Sequence, residues 1–165
     1  MSTASEKGRE PRPLPVLFLA DADDEARARI AIALTRRFGA DYEVRAAGTE
    51  AEGLAMLEQL GNEGARVALI AADLALTGDE GGIAFLERVH VIHPDASRVL
   101  LVAMDRHGTR IPFDSLAALR RATALNRIDF WAHGDPLDGR SARLRAKRFG
   151  ERERVSRDCP ARRRE

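Results

Sequence analysis

The chain has 165 residues, enough for one domain with a real core. Hydrophobic residues make up 44% and charged residues 32%, and no apolar stretch approaches the roughly 20 residues that span a bilayer, so a soluble globular protein is expected. The net charge of +1 is unevenly spread: residues 138–165 hold eleven Lys/Arg against five Asp/Glu, whereas residues 1–137 hold sixteen against twenty-one.

Cys159 is the single cysteine, which excludes an intramolecular disulfide and a multi-cysteine metal site. The N-terminus lacks the apolar core of a signal peptide, so a cytoplasmic location is expected. The basic tail has the charge to meet nucleic acid or an anionic surface. No aromatic ladder for base stacking accompanies it, so nucleic acid is only weakly suggested and a solvated tail is the simpler expectation.

Residues 1–13 are polar and contain proline, and read as a disordered leader. Val16-Leu17-Phe18-Leu19-Ala20 is an apolar run ending at Asp21, and reads as a strand covered on both faces. Asp23 is placed to cap a helix opening with Asp24 and Glu25 and carrying Ile30, Leu34 and Phe38 at helical spacing. Arg36 and Arg37 suit its C-terminal end, and Gly39 suits its stop. Tyr42–Ala46 alternates as a short second strand. Thr49 and Glu52 have capping-box spacing ahead of a helix with Leu54, Leu57 and Leu60.

Val67–Ala72 is a third strand, and it ends at Asp73. Gly82–Ile92 is expected as a helix presenting Ile83, Phe85, Leu86 and Val89, with Pro94 beyond it. Val99–Ala103 is the fourth strand. A helix from near Asp114 or Ser115 carries Leu116, Leu119 and Leu125, and Ile128–Ala132 is the fifth strand. The order βαβαβαβαβ predicts an α/β fold with a doubly wound, five-stranded parallel sheet of flavodoxin-like topology. A fifth helix over 137–155 has few large apolar residues, chiefly Leu137, Leu144 and Phe149, so it is expected to be thin or irregular. Ligands of open α/β sheets bind outside the carboxyl ends of the strands, and there Asp21 and Asp73 form a candidate cation or phosphoryl site.

These residues resemble a response-regulator receiver (CheY-like) domain over residues 14–136, with 137–165 as a basic tail. Asp21 falls on the first position of the family's acidic pair and Asp73 on its phosphoacceptor. Gly81, eight residues after Asp73, falls on the glycine that opens the third helix. Phe85-Leu86-Glu87-Arg88 and His93-Pro94-Asp95-Ala96 share the family's texture, closest to receivers fused to thioredoxin-reductase-like flavoproteins. The chain also departs from the pattern. The second acidic position is Ala22, the Ser/Thr position Val102, the Lys position His133, and the usual proline is Thr77. Phe130 is the better match to the family's strand-five aromatic, with Trp131 one residue later.

The resemblance implies a stand-alone receiver in two-component phosphorelay signalling, not an enzyme, working through protein contacts. Its partners would be a sensor histidine kinase or phosphotransfer protein, a downstream protein and, as a further candidate, a second copy of the chain. Mg²⁺ would be held by Asp21 and Asp73, with Asp23 as a lesser candidate, and the lack of a carboxylate at Ala22 weakens the site. Val102 cannot donate to a phosphoryl oxygen, and His133 could replace lysine only when protonated. The alternative is a degenerate pseudo-receiver, an interaction module independent of phosphorylation. A small enzyme on this sheet is disfavoured, because no dinucleotide fingerprint or Walker lysine is present. His90, His93 and His107 are too scattered for a metal cluster.

Overall fold

A computed structural model describes residues 13–78, 81–103 and 113–134, and of residues 113, 133 and 134 the backbone only. The expected leader up to residue 12, the thin fifth helix and the basic tail lie outside the described residues. The elements run β1 (Val16–Ala20), α1 (Asp24–Phe38), β2 (Glu43–Ala47), α2 (Glu50–Asn62), β3 (Val67–Asp73), α3 (Gly81–Ile92), β4 (Ser97–Ala103), α4 (Phe113–Ala124) and β5 (Phe130–Gly134). All strand pairs are parallel and the sheet order is β2-β1-β3-β4-β5. The chain steps outward from β1 to β2, then crosses back to β3 on the other side of β1. The topological switch point therefore lies between β1 and β3.

Local signals account for most element ends. Asp23 caps α1 in an extended conformation, its carboxylate accepting from the N–H groups of Glu25 and Ala26 at 2.9 Å each. Thr49 caps α2 in the same way through Glu52 N–H at 3.2 Å. The reciprocal half of the capping box is displaced by one residue, because Glu52 accepts from the N–H of Gly48 rather than of Thr49. An ion pair between Arg88 and Glu50 ties α3 to α2.

Alternation along the strands divides the core between two faces. Phe18, Ala20, Ile70, Ala72, Leu100 and Val102 pack under α2, α3 and α4, whose Leu57, Leu60, Phe85, Leu86, Val89 and Leu119 are buried there. Leu19, Ala71, Val99 and Ala132 lie on the opposite face, where Ile30 and Ala31 of α1 approach. Helix α1 buries none of its residues fully, so its Ile30, Leu34 and Phe38 stripe is only half-covered. Among the described helices, none is long and apolar enough to cross a membrane.

The fifth strand begins two residues later than expected. Asp129 is engaged before pairing starts: its N–H donates to the Arg98 carbonyl, and its carboxylate receives Arg98 N–H at 2.8 Å, Nε at 3.2 Å and Nη2 at 3.1 Å. Burial pushes the Asp129 carboxyl up, but these Arg98 contacts outweigh it and hold it below the ordinary value. The forked pair fastens the start of β4 to the entry of β5 with a guanidinium that is itself buried. Truncating Asp129 leaves that cation buried without its partner. Because the Asp129 side chain is itself 35% exposed, Asp129→Ala is expected to cost about 1–3 kcal/mol, the range for a lost hydrogen-bond partner, as read by urea unfolding.

Candidate functional site

The site is built by strand register. Val16 pairs with Val67 but Leu17 pairs with Leu69, so β3 carries one extra residue, Ala68, near its start. From there the ladder runs evenly to Ala20 opposite Ala72. The next residues are Asp21 and Asp73, which therefore stand side by side at the switch point. On the far side Asp73 pairs with Leu101, and Val102 follows it. Val102 in turn pairs with His133, whose side chain lies outside the described residues.

Asp21 is tied down at both backbone and side chain. Its N–H donates to the Ala47 carbonyl at 3.1 Å, and its Oδ1 accepts from Asp23 N–H at 2.9 Å. It is only 6% exposed, unusual for a carboxylate. Asp73 is half-buried, and its Oδ2 accepts from Ala75 N–H at 2.9 Å, which starts the turn after the strand. Burial raises the Asp73 carboxyl above its ordinary value and the charge of Asp21 adds to this, while the N–H groups of Ala75 and Leu74 pull the other way. Burial likewise raises Asp21, against the Asp23 N–H and Arg27. Two carboxylates crowded out of water repel one another, and a cation between them would relieve both effects.

The remaining expected site residues divide sharply. Asp23 is committed to capping α1, and the Ala26 N–H is the main cause holding its carboxyl below the ordinary value. Ala22 is exposed and Ala20 wholly buried, so Asp21 is the single carboxylate that β1 brings to the switch point. Val102 is 3% exposed, inside the core beneath α4. Trp131, not Phe130, packs against that same core, whereas Phe130 faces the α1 side. Strand alternation decides this, since Trp131 pairs with Leu100 and Phe130 with Val99. His93 is buried with Nε2 2.8 Å from the Leu57 carbonyl, a packing role. Among the described residues no group of three or more His, Cys, Asp or Glu is placed to hold a metal ion.

The glycine beside Asp73 is also located. Gly81 opens α3 as expected, but the tight contact is at Gly82, where a Cβ would stand 2.0 Å from the Asp73 carbonyl oxygen. Gly82 N–H donates to the Leu74 carbonyl at 3.1 Å, which draws α3 down onto the end of β3. Spacing from Asp73 placed the helix opening at Gly81, and the closest backbone approach falls on its neighbour Gly82.

The fold is similar to that of a CheY-like response regulator receiver domain protein from Methanospirillum hungatei JF-1. Identity is 22%, the TM-score is 0.51, and the match covers 74% of this chain and 85% of that one. The chemotaxis protein CheY4 of Vibrio cholerae is similar at 18% identity and a TM-score of 0.52, over 74% of this chain and 90% of that one. No protein-family model and no curated protein matches the sequence. The chain has the five-stranded parallel α/β fold of these receiver domains.

Two outcomes are expected from this geometry. Gly82→Ala forces α3 off the strand end and costs about 1–3 kcal/mol, as measured by thermal unfolding. Asp73→Asn raises the unfolding midpoint of metal-free protein at neutral pH. The sign follows from the raised carboxyls: protonated, they cost the fold little, and stability is lost as pH rises through their elevated native values. The advantage of the variant should therefore shrink as pH falls and the wild-type carboxylates protonate.

Proposed function

We propose that this chain is a receiver-type signalling module of a two-component phosphorelay, with Asp73 as its phosphoacceptor. The observation that carries the reading is the placement of Asp73 beside Asp21 at the switch point of a receiver fold. A carboxylate oxygen of Asp73 attacks phosphorus in line with the leaving imidazole nitrogen of a phospho-histidine donor. The new O–P bond makes an acyl phosphate, and the P–N electron pair returns to the imidazole. The donor would be a sensor histidine kinase or phosphotransfer protein, and the product would act on a downstream protein or on a second copy of the chain. The chain works in this reading as a cytoplasmic signalling module rather than as an enzyme on an outside substrate.

The residues fit Mg²⁺, through a reduced ligand set. Magnesium is usually held by one or two carboxylates with water and phosphate, and Asp21 and Asp73 supply two. When bound, it would neutralise the phosphoryl oxygens. Asp21 contributes a carboxylate whose Oδ1 is already oriented by Asp23 N–H. Asp73 contributes the nucleophile, oriented by Ala75 N–H. Val102 offers no donor to the product. His133, one register step beyond the pair of Leu101 and Ala132, would pair with phosphate only as imidazolium.

A second reading has its own support. Val102 is sealed in the core without a donor and Ala22 offers no carboxylate, so two of the groups that the receiver pattern sets around a phosphoryl group are absent. A hydrogen bond to a charged acceptor is worth roughly 1.5–3 kcal/mol, so the phosphorylated state loses much of its driving force. In this reading the chain is an interaction module that works without phosphorylation.

Wild type and Asp73→Asn, each treated with a small phosphodonor and Mg²⁺, separate the two. The expected result is a phosphoryl adduct by intact mass on wild type and none on the variant. No adduct on folded wild type at saturating Mg²⁺ would overturn the first reading and leave the second.

A further inference from the structure

Arg27 is not accounted for by helix formation alone. Its guanidinium reaches back six residues, and Nη1 donates to the backbone carbonyl of Asp21 at 2.7 Å. Its side chain is 22% exposed, whereas its ion-pair partner Asp24 is 91% exposed, so that pair adds little. The other wall is Gly48, at the end of β2. A Cβ there would stand 2.9 Å from Nη1, 3.1 Å from Cζ and 3.3 Å from Nη2. Gly48 is thus a gap filled by the guanidinium, and this explains a glycine in a turn with no left-handed backbone to require one.

Asp21 is consequently held from three sides. Ala47 takes its N–H, Arg27 caps its carbonyl, and Asp23 N–H fixes Oδ1. We infer that Arg27 is a positioning residue of the Asp21–Asp73 site, seated by Gly48 and acting through the Asp21 backbone. The inference rests on the reading of these carboxylates as a phosphoacceptor site. The physical reason is the geometry of the donor: the Asp21 carbonyl leaves the ladder where β1 ends, and a planar fork lodged in the space that Gly48 leaves open donates to it there. Lysine keeps the charge but brings one flexible ammonium.

The test uses the full chain with Arg27→Met, Arg27→Lys and Gly48→Ala. Gly48→Ala is the decisive variant, because it displaces the guanidinium without removing any charge. Amide hydrogen exchange of Asp21 and Asp23 is measured in metal-free protein, and Mg²⁺ half-saturation is followed by backbone amide shifts. Expected for Arg27→Met and Gly48→Ala are lost protection at these two amides, protection retained in β3 and β4, and a half-saturation raised about tenfold. Arg27→Lys should recover part of both. Unchanged exchange at Asp21 and Asp23, or protection lost equally across the sheet, would overturn the inference. If wild type binds no Mg²⁺, the phosphoacceptor reading fails, while the exchange data still decide whether Arg27 positions Asp21.

Discussion

The structure turns on the pairing of β1 with β3. That one parallel ladder, with its extra residue at Ala68, decides which residues meet at the switch point. It brings two carboxylates together where burial and like charge disfavour their ionisation. The arrangement is costly to the fold, and such a cost is tolerable where a cation or a reacting group is received. The neighbouring contacts serve the pair. Asp23 N–H and Ala75 N–H orient the carboxylates, Gly82 lets α3 descend onto the Asp73 carbonyl, and Arg27 caps the Asp21 carbonyl.

The site is asymmetric. The β1–β3 side keeps the groups that accept charge. On the β4–β5 side Val102 is a core residue, 3% exposed. Trp131 lies on the same face, pairing with Leu100, the residue two before Val102. The two functional readings differ in which side dominates, and chemistry at Asp73 distinguishes them.

Much of the architecture was legible in the chain. The buried runs Val16–Ala20 and Val67–Ala72, the caps Asp23 and Thr49, and the apolar spacing of α2 and α3 follow from local rules and appear as expected. Elements bounded by long-range contacts were less legible. The fifth strand starts after Asp129 because that residue is claimed by Arg98, thirty-one positions earlier. The stripe of α1 looks like a core stripe in the sequence but is only half-covered, since burial depends on what packs opposite.

The sequence by itself determined the βα alternation, the doubly wound sheet and the two aspartates at strand ends, because periodicity and capping are properties of neighbours in the chain. Only the tertiary structure decided that Asp21 stands beside Asp73, that Gly82 rather than Gly81 meets the strand end, and that Trp131 rather than Phe130 shares the face of Val102. Those three facts depend on register, close backbone approach and side-chain parity. Each is set between segments distant in sequence, and a shift of one residue reverses the outcome.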